Sequence, residues 1–177
     1  MHFGILSSPV PGHINPLCAL ARTLTRRGHR VTYFSIVDTR EAITAGGVGF
    51  RAIGEAEFGP GAFVKNWGPM MHRSGPAVLL ATLSLHARIA RMMCRDVPAM
   101  ARREGIQAWI IDQIQYQGRA IAEATGVPFV TVSCTAPVHR GTGWPVPSPF
   151  VGWSAKERTV LATMRNRISW FLFDCLS

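Results

Sequence analysis

The stretch Ser7-Ser8-Pro9-Val10-Pro11-Gly12-His13-Ile14-Asn15-Pro16 is the part of the 177-residue chain around which the rest is organised. The apolar residues 3–6 precede it and are typical of a short buried strand. After it, apolar residues recur at helical spacing and predict a core-facing helix. They are Leu17, Leu20, Ala21 and Leu24. Asn15 fits the N-cap of that helix, Pro16 its first position and Gly28 its end, so the pattern predicts a strand, a loop and a helix.

His13 lies in the loop predicted between that strand and that helix. The positive end of the helix dipole disfavours the imidazolium, so a histidine at this place stays neutral and can accept a proton. One interpretation of His13 is therefore a general base. The other is a polar loop residue without a catalytic role, because a lone histidine is only a weak sign of catalysis.

Strands and helices alternate along the rest of the chain. The sequence predicts further strands at 31–36, 48–53, 108–112 and 129–132, and helices at 39–46, 76–95 and 116–125. The helix that begins at Pro76 is expected to kink or break at Asp96-Val97-Pro98 before a further turn. Residues 54–76 and 136–153 show no periodicity and are expected to be irregular. Since crossover connections are right-handed, the pattern predicts an open parallel α/β sheet of order 3-2-1-4-5, with helices on both faces.

Asp112 ends the fourth predicted strand, which is the neighbour of the first strand in this order. Ligands of open α/β sheets bind at such a switch point, outside the carboxyl ends of the strands, and His13 would project into the same place. A carboxylate beside a neutral imidazole fixes its tautomer and stabilises the imidazolium that forms on proton uptake. The alternative for Asp112 is a cap or a solvated carboxylate. The strand order favours a dyad of His13 and Asp112.

The composition restricts the class of protein. The hydrophobic fraction is 47% and the formal net charge is +9, with only two lysines, Lys65 and Lys156. The arginines are scattered, which disfavours binding of nucleic acid. The four cysteines have no zinc-ligand spacing, so no metal site is predicted, and reduced thiols in a cytoplasmic protein are the expectation. No apolar run reaches the length of a membrane span.

Two surfaces leave alternatives open. Large apolar residues between 54 and 76 would suit the wall of a pocket for an apolar ligand. The alternative is that they pack against the edge of the hydrophobic core. They are Phe58, Phe63, Trp67, Met70 and Met71. The arginines of the long helix share one face, which is either a solvated face or a surface for lipid headgroups. They are Arg88, Arg91, Arg95 and Arg102.

Several motifs resemble a known family. The run Gly12-His13-Ile14-Asn15-Pro16, with residues 27–32 after it, resembles the start of the nucleotide-sugar-dependent glycosyltransferases of family 1, which include macrolide and plant secondary-metabolite enzymes. Asp112 followed by residues 126–128 is similar to the segment that carries the family's dyad aspartate. Trp153 and residues 165–167 are similar to a subgroup that glucosylates carotenoids. The resemblance covers the amino-terminal half of a two-domain protein with the GT-B fold.

The resemblance implies a Rossmann-like acceptor-binding domain over residues 1–150. Residues 151–177 would form an amphipathic helix leading to a missing carboxyl-terminal donor-binding domain, and the isolated chain would be inactive. The reaction implied is inverting transfer of a sugar from UDP-glucose to a hydroxyl of a lipophilic acceptor. It needs no cofactor and no metal, in a cytoplasmic protein with possible peripheral membrane contact.

The resemblance also implies residue roles. His13 would be the base, Asp112 its partner, and Gly12 would lie near the donor phosphates. The loops 58–72 and 133–150 would surround the acceptor. The residues expected to contact the acceptor are Trp67, Met70, Met71, Gln113, Thr135 and His139.

An alternative function is a non-catalytic binding module, either a carrier of a lipophilic molecule or a subunit that needs a separate donor-binding chain. A Rossmann-type dehydrogenase is disfavoured, because the first loop lacks the G-x-G-x-x-G pattern that cradles a dinucleotide.

Overall fold

The structure is a computed structural model and describes residues 1–71, 76–134 and 159–176. The chain divides into two compact units, Met1–Thr135 and Ala136–Ser177. The described part of the first unit contains, in order, β1 (His2–Leu6), α1 (Pro11–Arg26), β2 (Arg30–Ser35), α2 (Arg40–Thr44), β3 (Gly49–Ala52), α3 (Ala62–Met71), α4 (Pro76–Glu104), β4 (Ala108–Asp112), α5 (Gly118–Thr125) and β5 (Phe129–Val132). The described part of the second unit contains α6 (Val160–Leu176). The domain boundary predicted after residue 150 and the irregular segment 136–153 lie outside the described residues.

The five strands form one parallel sheet in the order β3-β2-β1-β4-β5. This is the order predicted from right-handed crossovers. Strands β1 and β4 are direct neighbours, with Leu6 opposite Ile111 near their carboxyl ends. The last residues of these two central strands therefore lie side by side at one edge of the sheet.

Helices cover both faces of the sheet. Successive side chains of a strand point to opposite faces, so each strand contributes apolar side chains to two cores. On one face, Ile5 and Ile110 belong to a core that also contains buried residues of α1 and α2, such as Leu17 and Ile43. On the other face, Leu6 belongs to a core with buried residues of α4 and α5. The prediction of an α/β sheet enclosed on both sides is confirmed.

Helix α1 begins five residues earlier than the sequence pattern predicts, at Pro11 instead of Pro16. Val10 is the N-cap residue in extended conformation, and the carbonyl of Val10 accepts the N–H groups of His13 (2.9 Å) and Ile14 (3.0 Å). Pro11 occupies the first turn, where a missing N–H costs nothing, and Pro16 lies inside the helix. The prediction that Asn15 caps the helix is wrong, and His13 belongs to the first helical turn rather than to the loop.

The prediction that residues 62–71 are irregular is wrong, and so is the break that is one of two alternatives at Asp96-Val97-Pro98; the other alternative, a kink there, stays a prediction. Residues 62–71, expected to be irregular, form α3. The side chain of Asp38, 24 residues before the first residue of the helix, accepts the N–H groups of Gly61, just before α3, and of Phe63 in its first turn. Helix α4 runs without interruption through Pro98. Val97 and Ala101 are buried in the same core as Met93, so packing on both sides of the proline offsets the lost hydrogen bond, a cost of about 3 kcal/mol.

The arginines of α4 have different surroundings. Arg95 forms ion pairs with Glu57 and Asp96, both at 2.6 Å. The guanidinium of Arg88 lies over the ring of Phe58, and Arg91 is exposed. The arginine face thus includes intramolecular partners, and its suggested role toward lipid headgroups stays a prediction. Within the described ranges, no helix has the length and apolar character needed to cross a bilayer.

Candidate active site

The candidate site lies at the carboxyl ends of β1 and β4. The first turn of α1, which follows β1, contacts the end of β4 there. Strand β1 ends at Leu6 and four residues connect it to α1, so His13 is only two residues into the helix. Asp112 is the last residue of β4. The loop after β1 and the end of β4 thereby bring together two residues that are 99 positions apart in the sequence.

The Nδ1 atom of His13 lies 2.6 Å from Oδ2 of Asp112. The aspartate side chain is fully buried, whereas 14% of the histidine side chain is exposed. A carboxylate only accepts hydrogen bonds, so the imidazole hydrogen lies on Nδ1 and the lone pair lies on Nε2. The pair that the sequence predicts to meet is therefore in contact, in the tautomer that a general base requires.

The backbone around Asp112 fixes the carboxylate. Its Oδ1 atom faces the N–H of Ile114 at 3.4 Å, and its carbonyl accepts the N–H of Gln115 at 2.9 Å. The next residue, Gln113, donates its N–H to the carbonyl of Val132 on β5 at 3.0 Å. A tight turn and a strand pairing thus hold the aspartate in place beneath the imidazole.

A buried hydroxyl pair lies at the same edge of the sheet. The hydroxyl of Tyr33, on β2, is hydrogen-bonded to Oγ of Ser7, which donates to the carbonyl of Ser8 at 3.0 Å. Burial, and in smaller part the charge of Asp112, raises the pKa of Tyr33, which keeps its hydroxyl protonated. The pair ties the loop after β1 to the neighbouring strand. The sequence places Tyr33 inside a buried strand and Ser7 directly after another, but spacing alone does not connect the two.

Cys134 is the third member of the cluster around the dyad. It follows β5, and one ligand atom from each of His13, Asp112 and Cys134 lies within 4.8 Å of the others. Burial, followed by the nearby charge of Asp112, raises the pKa of the Cys134 thiol to about 11. Sequence reasoning missed this residue, because its relation to the dyad depends on β5 lying next to β4.

The other predicted site residues are placed as follows. Gly12 is exposed in the first turn of α1, and a Cβ there would meet nothing within 4 Å. Gln113 is half-buried directly after Asp112.

Trp67 is buried on α3 and stacks on Phe63 with 5.2 Å between ring centroids, so it packs into the core. The structure describes the backbone but not the side chains of Met70 and Met71, and Thr135 and His139 lie outside the described residues.

Comparison with known proteins gives both sequence relatives and structural neighbours. The chain is 31% identical to the zeaxanthin glucosyltransferase of Pantoea ananas over 173 residues, which are 97% of this chain and 40% of that protein. It is 25% identical to the oleandomycin glycosyltransferase of Streptomyces antibioticus, over 89% of this chain and 34% of that protein. The chain therefore spans about 40% of the length of the curated relatives it matches. No family model matches the chain.

Solved structures share the fold. The glycosyltransferase of kitacinnamycin matches with a TM-score of 0.61 at 23% identity, over 77% of this chain and 31% of that one. The Streptomyces sp. SF2575 glycosyltransferase SsfS6, in complex with thymidine diphosphate, matches with a TM-score of 0.56 at 20% identity, over 75% of this chain and 38% of that one.

The predicted resemblance is confirmed by these matches. The homologues of the chain are zeaxanthin and macrolide glycosyltransferases, and its structural neighbours are GT-B glycosyltransferases, of which it covers the amino-terminal part. The parallel sheet of order 3-2-1-4-5 is accordingly a fold that the chain shares with the matched part of these GT-B glycosyltransferases.

Proposed function

We propose that this chain, whose homologues are glycosyltransferases, is the acceptor-binding part of an inverting glycosyltransferase that uses a nucleotide-diphosphate sugar. The single observation that carries the proposal is the 2.6 Å contact between His13 and the buried Asp112, at the carboxyl edge of the two central strands. This edge is where open α/β sheets bind their ligands. The contact gives the first turn of α1 a base whose orientation is fixed.

In the proposed reaction, Nε2 of His13 takes the proton of an acceptor hydroxyl. The hydroxyl oxygen then forms a bond to the anomeric carbon while the bond between that carbon and the diphosphate oxygen breaks, and the electron pair leaves with the diphosphate. Attack opposite the leaving group inverts the anomeric configuration. The carboxylate of Asp112 stabilises the imidazolium that forms when His13 takes the proton.

The proposed substrates are UDP-glucose and a lipophilic acceptor. The names of the relatives support a glucosyl donor and an apolar acceptor, and the structural neighbour with thymidine diphosphate supports a nucleotide-diphosphate donor. Gly12 is the proposed donor contact in this chain, since the first turn of a helix presents N–H groups to phosphate oxygens. The remaining donor contacts are proposed to come from the part of the relatives that this chain does not span.

A chimera tests the proposal. The chain is fused to the remaining part of the Pantoea ananas zeaxanthin glucosyltransferase, and transfer from UDP-glucose to a hydroxylated carotenoid is measured. We expect transfer by the chimera and none by the isolated chain. His13→Gln should lower kcat by about 100-fold or more, which is the usual contribution of a general base.

His29→Gln is the matched control, because His29 lies at the opposite end of the sheet, where its ring contacts Phe3. This variant should keep the kcat of the unchanged chimera. Equal rates for the chimera and its His13→Gln variant would exclude His13 as the base. If the chimera folds but transfers no sugar, the chain is a binding module instead.

A further inference from the structure

Three side chains with different donor atoms converge at the candidate site. His13 comes from the first turn of α1, Asp112 from the end of β4 and Cys134 from the residues after β5. Their ligand atoms, an imidazole nitrogen, a carboxylate oxygen and a thiol sulfur, lie within 4.8 Å of one another. Three adjacent elements of one sheet edge hold the cluster, and Asp112 within it is fully buried.

We propose that His13, Asp112 and Cys134 form a binding site for a borderline-soft divalent cation of the zinc type, and that the cation switches the dyad off. The donor set decides the class of ion: nitrogen and sulfur ligands suit Zn²⁺ and Co²⁺, whereas Mg²⁺ and Ca²⁺ require oxygen ligands. Three protein ligands leave a fourth position for water. The binding claim stands on geometry alone, and only the inhibitory consequence rests on the proposed function.

The geometry needs small adjustments to hold the ion. A tetrahedral zinc site places its ligand atoms about 3.5 Å apart. Since all the ligand atoms lie within 4.8 Å of one another, no pair needs to approach by more than about 1 Å, and the 2.6 Å pair of His13 and Asp112 must open by a similar amount. His13 and Cys134 are both only partly buried, and rotation of their side chains is the movement that the proposal requires.

Metal binding and proton uptake by His13 exclude each other. If the ion binds Nδ1, the imidazole hydrogen moves to Nε2 and the lone pair needed for the reaction disappears. If the ion binds Nε2, it occupies that lone pair directly. In both cases Cys134 gives up its proton on binding, because the thiolate is the ligand. The ion therefore acts as an inhibitor of the dyad.

The test is a titration of the purified, metal-free chain with Co²⁺, followed by competition with Zn²⁺ in the presence of a chromogenic chelator. We expect one Co²⁺ per chain, with a thiolate-to-cobalt charge-transfer band in the near ultraviolet. Cys134→Ser should abolish the band. His13→Gln should weaken Zn²⁺ binding by at least about tenfold, since even partners of ligands contribute that much.

Cys94→Ser is the matched control, because Cys94 is an exposed thiol on α4 to which an adventitious ion would bind. This variant should retain both the band and the affinity. Circular dichroism verifies the fold of each variant, and His13→Gln tests the site independently should Cys134→Ser unfold. A band that survives Cys134→Ser in a folded chain, a band lost with Cys94→Ser, or unchanged Zn²⁺ affinity of His13→Gln would overturn the proposal. The proposed sugar transfer, measured in the chimera without metal, would be unaffected by that failure.

Discussion

At the scale of single residues, the site depends on which nitrogen of His13 carries the hydrogen. Asp112 accepts the hydrogen bond from Nδ1, so the other nitrogen of this partly exposed ring remains a hydrogen-bond acceptor. Without the hydrogen bond from His13, the buried carboxylate of Asp112 would strongly destabilise the fold. The same contact therefore serves both the stability of the chain and the orientation of the imidazole. The same atoms provide the nitrogen and oxygen of the proposed metal site.

His2, at the other end of β1, makes folding dependent on pH. Its ring is buried, with Nδ1 donating to the carbonyl of Glu104 at 2.9 Å and Nε2 accepting from the hydroxyl of Thr32 at 2.8 Å. Burial, and then the charges of Arg30 and Arg51, lower the pKa of His2, although Glu104 opposes them. The folded chain therefore favours the neutral ring more than the unfolded chain does.

From this lowered pKa we predict that the free energy of unfolding falls as the pH drops below about 6.5, because the unfolded chain then binds more protons at His2 than the folded chain. The slope from one such group is at most about 1.4 kcal/mol per pH unit. His2→Gln should reduce the slope between about pH 7 and about pH 5.5. Urea denaturation at a series of pH values measures the free energy of unfolding and therefore its slope with pH. An identical slope in the variant would contradict the interpretation of His2.

At the scale of elements, tertiary contacts decide where several helices begin and end. The sequence predicts α1 and its end at Gly28 correctly, but both Pro11 and Pro16 fit a first turn, and only the structure selects the earlier one. Helix α3 was missed because its cap, Asp38, is distant in sequence. The break predicted at Pro98 fails because burial of α4 outweighs the local preference of proline.

Asp38 should contribute measurably to α3. Its two carboxylate oxygens accept the N–H groups of Gly61 at 2.8 Å and Phe63 at 2.7 Å. We predict that Asp38→Ala lowers the free energy of unfolding by about 1–2 kcal/mol, the usual effect of losing a cap. Asp38→Asn retains one acceptor oxygen and should lose less. Urea denaturation of the unchanged chain, Asp38→Ala and Asp38→Asn measures their free energies of unfolding. Equal values would show that the Asp38 cap does not stabilise α3.

At the scale of the whole molecule, the sheet order is the part that the sequence predicts best. Right-handed crossovers leave few choices once five strands are recognised, and the order then brings His13 and Asp112 together. The sequence does not reveal Cys134 or the contact between Ser7 and Tyr33, because these depend on side-chain packing between strands that are distant in the chain. Long-range packing, rather than local pattern, completes the site.

The first compact unit should fold without the second. The five strands and helices α1 to α5 lie within Met1–Thr135, and the two buried cores of the sheet are built from this unit. We predict that a fragment of residues 1–135 has the far-ultraviolet circular dichroism of an α/β protein and unfolds in urea in one cooperative transition. A fragment without a cooperative transition would mean that the sheet needs residues beyond 135.

The tautomer of His13 tests the central claim most directly. Nitrogen-15 NMR of the labelled chain, with the signal of His13 identified by its absence from His13→Gln, distinguishes a protonated Nδ1 from a protonated Nε2. We predict that near neutral pH the hydrogen is on Nδ1, donated to Asp112, and that Nε2 is unprotonated. A hydrogen on Nε2 with an unprotonated Nδ1 would contradict the account, since the ring would then have no lone pair directed at an acceptor hydroxyl.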